Sequence, residues 1–420
     1  MRHAAASLIP IFLVLSGPAA ALPAAEADLF KNLPAGWKVV ENRAVPKDQA
    51  AAIGQRLGAK VVSLSNTVLD VQGTRLQVNL LGCETPDGAQ KVQQAIVAAH
   101  GGTAACGLRT GTQVAEFLCD DLRLIKRAHY VLGLRPKRAT YRITFDAAPV
   151  ESGDWMSWNA LFNRFLALET NPGDAKTLSE IKTLSEKFRF ADAISFRVRG
   201  AGTRESAFTL KPAPAKREVL GEGDLVRYSL GALPKKAGVP CVSVTATVTS
   251  EAFCIAPTQR KPGKELLGPT DFWPTEDAEV VALAGKITAD AKTDEEKVNA
   301  LLEWMLPGRN IRFGGAVTGS RYGVKQVLAQ GFGQCWDFSD CFVTLCRAAG
   351  VPCRQVAGWL YGQCGHVWAE VLLEGKGWQQ VDPTAGMACG SDYIPYLTSE
   401  RGDMPIVYLS MPKIEVLPGK

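Results

Sequence analysis

A chain of 420 residues is longer than one hydrophobic core usually serves, so two or three domains are expected. Its 47 basic and 42 acidic residues leave a formal net charge of +5 with no long basic block, a pattern that favours solubility and gives nucleic acid no footprint. Beyond the N-terminus, no stretch is long and apolar enough to cross a bilayer, which excludes stable membrane insertion.

The chain begins Met1-Arg2-His3, continues with an apolar run over 8–15 and reaches Gly17-Pro18-Ala19-Ala20-Ala21. A short basic start, a short apolar core and a small-residue site describe a secretory signal peptide over 1–21, cleaved between 21 and 25. The rival reading, a membrane anchor, fails because Pro10 breaks the run and its length falls well short of the roughly 20 residues a bilayer requires. With no cysteine in the segment, a lipid-modified cysteine anchor is also disfavoured. The expectation is an exported protein of about 395 to 400 residues, periplasmic or extracellular.

Over 33–136 helical and strand-like periods alternate. Helices are expected at 47–57, 86–99 and 121–132, the second opening on Pro86, and strands at 60–64, 75–81 and 112–119. This predicts a small α/β domain whose role is not legible. From 138 to 262 the pattern becomes β-rich, with alternation at 141–145, 193–198, 225–230 and 241–248. A helix at 155–169 and a charged segment at 174–187 interrupt a sandwich-like domain. The Pro- and Gly-rich stretch 259–274 reads as a linker. A third domain, 275–420, opens with helices at 275–286 and 293–304. The latter starts on a capping box, Thr293 with Glu296 three residues on.

Eleven cysteines follow the signal segment, an odd number, so in an oxidising compartment at least one thiol stays unpaired. Cys241 and Cys254, flanking 242–253 in strand-like surroundings, are the most readable disulfide pair. Cys346 reads as a buried thiol.

From Cys335 the sequence turns amphipathic at 100° per residue. Phe338, Phe342, Leu345, Cys346 and Ala349 gather on one face, with Asp337, Asp340, Thr344 and Arg347 opposite. Gly350 and Pro352 stop this helix, and Cys335 falls in its first turn, where unpaired N–H groups and the dipole favour negative charge. A random cysteine is more often buried or disulfide-bonded. Here the odd count, the position and the partners favour a nucleophile.

Of four histidines, only His366 follows residue 129, and it shares a strand face with Trp368, Glu370 and Leu372. Asp382 ends the next strand-like segment. Two-residue alternation makes its placement a test: a three-residue loop, Glu374-Gly375-Lys376, pairs Asp382 with Trp368 and sets it diagonally beside His366, roughly 7–8 Å between backbones. A two-residue turn would point it to the wrong face. As a turn-forming Asp-Pro, Asp382 can also hold a local role.

Three motifs carry a resemblance. Gly333-Gln334-Cys335-Trp336-Asp337-Phe338, with the helix ending Cys346-Arg347-Ala348-Ala349-Gly350-Val351-Pro352-Cys353-Arg354, His366-Val367-Trp368-Ala369-Glu370-Val371, and 378–384 together resemble the transglutaminase-like superfamily, in the right order over the last third of the chain. The resemblance implies Cys335 as nucleophile, His366 as general base and acid, and Asp382 as the orienting group. It implies a papain-like fold, with the cysteine helix packed on an antiparallel sheet, and so an α+β chain overall. Oxyanion candidates are the Cys335 backbone N–H, Gln334 and Trp336. Trp304, upstream, sits in a helical setting that suits packing. No acidic loop has calcium-ligand spacing, so no cofactor or metal is expected. Cys353 and Cys364 with His366 match no standard zinc set, and disulfides are preferred.

The implied activity is thioester-mediated acyl transfer from peptide or protein amides, those of a cell envelope included, with hydrolysis slightly preferred over transfer to an amine. The alternative is a catalytically inactive transglutaminase-like binding or scaffold protein at the cell surface.

Overall fold

The computed structural model describes residues 29–100, 106–259, 261–306, 309–315, 319–362, 365–385 and 389–418. The signal segment 1–21 and Cys364 lie outside the described residues. The chain forms two compact units that divide between Pro136 and Lys137.

In the first unit five strands form an antiparallel sheet in the order Trp37–Ala44, Val61–Val71, Thr74–Cys83, Gln113–Leu118, Gly107–Thr110. Helices Lys47–Arg56 and Pro86–Ala99 place Ala50, Ile53, Ala89, Val92 and Ile96 in one core with Leu81 and Val114. Helix Leu122–Val131 joins Leu76, Val78 and Phe117 in the other. The second and third strands run longer than their hydrophobic alternation suggests. A buried polar row crosses them: Asn66 Nδ2 donates to Asn79 Oδ1 (2.6 Å), and Asn79 Nδ2 donates to Glu116 Oε2 (2.8 Å). Polar residues that satisfy one another in this way interrupt the apolar pattern without ending the strand.

In the second unit Arg138–Ser152 is the organising strand. It pairs with Val242–Glu251, which carries Thr203–Lys211 at its other edge, and with Ile406–Tyr408 and Lys413–Leu417. A three-stranded sheet, Lys216–Leu220, Leu225–Ser229 and Ala193–Arg197, contributes Phe196, Val226 and Tyr228 to the core that Phe145, Val244 and Val248 also fill, the sandwich-like arrangement expected. The segments 138–262 and 275–420 do not separate into two domains. The last strands of the chain hydrogen-bond to Arg138–Ser152, and 137–420 is one unit.

Two further expectations change. The charged segment 174–187 contains a helix, Ala175–Ser185, capped by Asp174, whose carboxylate accepts from Thr177 N; it buries only Thr177 and Ile181, too narrow a stripe to read from hydrophobicity. Cys241 and Cys254 are free thiols at opposite ends of the unbroken strand Val242–Glu251. Ten extended residues hold them roughly 30 Å apart, far beyond the Cα separation a disulfide tolerates.

The helix Cys335–Ala348 packs on a four-stranded antiparallel sheet ordered Gly377–Val381, Gly365–Leu373, Cys353–Leu360, Tyr393–Ser399. Helices Ala278–Ile287 and Asp294–Met305 share its core through Val280, Ala284, Leu301 and Met305, with Trp304 packed alongside. The second of these helices does start on the Thr293–Glu296 capping box. The Cys335 helix is buried all round from Trp336 to Arg347, not on one side only. Its polar face is covered because every charge there is met. Asp340 accepts from Trp273 Nε1 (2.9 Å), Arg321 Nε (2.6 Å) and Gln355 Nε2 (3.0 Å), and Arg347 donates to the carbonyls of Cys353, Gly268 and Glu400. Gly358, opposite His366 in the sheet, is required because any Cβ there would strike the Ile394 carbonyl of the adjoining strand.

Candidate active site

The helix start is tied down before any catalytic atom is placed. Gln334 is the N-cap in extended conformation, and it and Asp337 form a reciprocal capping box. Gln334 Oε1 also accepts from Gly319 N (2.7 Å), and Asp337 accepts from Gln334 N (3.0 Å) and Tyr322 N (2.6 Å). Trp155 Nε1 holds the Gly319 carbonyl at 2.8 Å, and its ring lies 4.3 Å from that of Trp336. The loop 319–322 is thereby pinned to the helix N-terminus. The Cys335 and Trp336 N–H groups, at the first two helical positions, have no intrahelical acceptor. The Trp336 indole is buried between Trp155 and Arg321.

The hairpin register follows the odd-length expectation. Ala369 pairs with Val381 and Leu373 with Gly377, leaving Glu374-Gly375-Lys376 as the connection and bringing Asp382 opposite Trp368. His366 Nε2 lies 2.9 Å from Asp382 Oδ2, and both residues are buried. The imidazole stacks near Trp368, with centroids 5.8 Å apart. Because Nε2 is engaged by Asp382, Nδ1 is the nitrogen left for Cys335, which lies near enough to favour the charged ring. The three residues singled out in sequence are therefore brought together. The other two histidines in the described chain belong to the first unit, His100 against Glu116 (3.1 Å) and His129 against the Phe117 ring.

Burial alone would lower the His366 pKa. The Asp382 charge and hydrogen bond, then those of Cys335, outweigh it and lift the imidazole from 6.5 to about 10. The ring therefore carries its proton at neutral pH, with Asp382 as its counter-ion. Its folded-state value is raised, so the stability it contributes is fully present below about pH 6.5 and is lost as pH climbs through about 10. Imidazole ¹⁵N NMR of the full chain is expected to show His366 doubly protonated throughout pH 7 to 9, approximately; a ring that deprotonates near its ordinary value contradicts this.

Two partners of Asp382 were not anticipated as such. Thr384 donates both N–H (2.9 Å) and Oγ1 (2.6 Å) to Oδ1, and the buried Tyr393 hydroxyl donates to Oδ2 at 2.5 Å. Thr384 lies within the last motif and follows from an Asx-type turn after Asp382. Tyr393 reaches in from the opposite edge strand, eleven residues along the chain, and no spacing rule could have found it.

Residues 281–383 match the family model described as the transglutaminase-like superfamily. This transglutaminase-like segment contains Cys335, His366 and Asp382 and ends short of Tyr393. No curated protein matches the chain. Among solved structures, a candidate cysteine protease from Cytophaga hutchinsonii is 15% identical, with 68% of this chain and 93% of that one covered at a TM-score of 0.40. The periplasmic domain of TgpA from Pseudomonas aeruginosa is 16% identical, with 60% and 92% covered at a TM-score of 0.31. Among the described residues no helix is long and apolar enough to cross a membrane, and no group of three or more His, Cys, Asp or Glu residues is arranged to hold a metal ion.

Proposed function

We propose that the chain is an exported cysteine enzyme that takes an acyl group from peptide or protein amides through a thioester at Cys335. The reading is carried by one observation: a cysteine at the first position of a buried helix stands beside an imidazole whose Nε2 is held by a carboxylate at 2.9 Å. Export is supported by the 1–21 pattern in the sequence.

The sequence of steps follows from the groups present. The Cys335 sulfur attacks the amide carbon, and the carbonyl oxygen takes the negative charge. The donors offered to that charge are the N–H groups of Cys335 and Trp336, which lack an intrahelical acceptor, and the Gln334 side-chain amide, whose Oε1 accepts from Gly319 N. The His366 imidazolium gives its proton to the departing amine as the C–N bond breaks, leaving a thioester and a neutral imidazole. The imidazole then takes a proton from water, the hydroxide adds to the thioester carbon, and the C–S bond breaks to release the acid and return the Cys335 sulfur and the protonated His366 to their starting state. Asp382 fixes the tautomer and the charge of the ring throughout.

Hydrolysis ranks ahead of cross-linking because water needs no binding site, whereas an amine acceptor does. Incubating the enzyme with glutamine-containing peptides, with and without a primary amine, separates the outcomes by mass. Chain cleavage marks a peptidase, a gain of about one dalton on a glutamine marks deamidation, and an amine adduct marks transfer. No change with any peptide defeats the proposal.

A further inference from the structure

The Asp382 carboxylate is more heavily engaged than an orienting group requires. Its Oδ1 is filled by two Thr384 donors, which stop the carboxylate from turning. Its Oδ2 is shared between two side chains, His366 Nε2 at 2.9 Å and the Tyr393 hydroxyl at 2.5 Å. Tyr393 starts the strand at the far edge of the sheet, two strands beyond the histidine strand. Its ring crosses the face edge-on to Trp368 (5.2 Å, 84°) and tilted against His366 (6.0 Å, 64°). Val356 and Leu360 close the same cluster around it.

A tyrosine that only filled this core could satisfy its hydroxyl on a backbone carbonyl, as Tyr141 does on Ser391. Tyr393 instead donates to the one oxygen that holds the catalytic imidazole. We infer that Tyr393 is a positioning residue of the acyl-transfer centre, its hydroxyl drawing charge from Asp382 Oδ2 and so setting how tightly the carboxylate binds the His366 proton. The inference rests on the cysteine acyl-transfer reading given above. Its chemical consequence is specific. Two donors on one oxygen weaken each other, so the tyrosine keeps the imidazolium acidic enough to protonate a leaving amine.

Tyr393→Phe removes the donor and keeps the ring. In the full chain, ¹⁵N NMR is expected to show the His366 titration moved upward by about half to one pH unit. Amide turnover should fall about three- to tenfold, because a more tightly held proton reaches the amine less readily. Alkylation of Cys335 by iodoacetamide, which has no amine to protonate, should keep its rate. 3-Fluorotyrosine at position 393 preserves the shape with a stronger donor, so it should move the titration downward; it also serves if the phenylalanine variant does not fold. An unchanged His366 titration in either variant overturns the inference, and so does an equal fall of turnover and alkylation, which marks a structural role alone. The titration needs no substrate. A shifted titration in a protein that turns over no amide therefore shows that Tyr393 tunes His366 but refutes the acyl-transfer reading, and with it the positioning role.

Discussion

Replacing Cys335 by alanine is expected to lower amide turnover by about ten-thousand-fold or more while leaving the fold intact. The loss is large because no other group can take its place. Among the described cysteines, Cys341 and Cys346 lie in the same helix, but they are fully buried, and burial pushes both thiols well above their ordinary range. Cys335 is the partly exposed one of the three, and the one that lies near enough to His366 to act on its charge. The variant keeps the Asp382–His366 pair, so its denaturation midpoint should correspond to a stability within about 1 kcal/mol of the parent. Turnover of the best glutamine peptide and a urea unfolding curve check the two halves. Turnover that survives the substitution identifies a scaffold with activity elsewhere, or none at Cys335.

The second large effect is on stability. Glu370 lies on the strand face of His366 and is fully buried between two arginines, paired with Arg197 Nη2 and with Arg354 Nε at 2.9 Å. Arg354 continues to Asp224 (3.3 Å), and its guanidinium lies 4.1 Å from the centre of the Trp378 ring. Burial alone would raise the Glu370 carboxyl; the two arginines outweigh it and hold it below the usual range. Its contribution is therefore complete above about pH 4.5 and is lost as pH falls through the depressed folded-state value. Glu370→Gln leaves Arg197 and Arg354 facing each other without their common counter-charge, and is expected to cost about 3–5 kcal/mol. Glu205→Gln, at an exposed position of the neighbouring sheet, should cost less than about 0.5 kcal/mol. Chemical denaturation of the two variants side by side measures the difference. A Glu370 variant as stable as the Glu205 control contradicts the buried-network account.

What could be read from the sequence was what depends on short-range rules. The Cys335 helix and its stop at Gly350 follow from an apolar period and a left-handed glycine, which the backbone shows at φ +80°. The approach of Asp382 to His366 follows from a strand period of two and a loop of three, and is found in that register. Interactions between distant segments were beyond such rules. Asp340 and Arg347 look like a solvated helix face until Trp273, Arg321 and the 400–402 turn arrive to cover them. The final strands carry too little pattern to declare that they belong with Arg138–Ser152. Tyr393 lies eleven residues beyond Asp382 and at the other edge of the sheet, so its approach to the carboxylate is set by the sheet order.

The most direct test of the centre is the rate at which iodoacetamide modifies each cysteine of the native chain at neutral pH, followed by peptide mass spectrometry without reductant. Cys335 should be modified first, ahead of Cys341 and Cys346, and His366→Ala should slow that modification by about a hundredfold. A Cys335 that stays unmodified in the folded protein, or reacts equally fast without His366, would contradict the assignment.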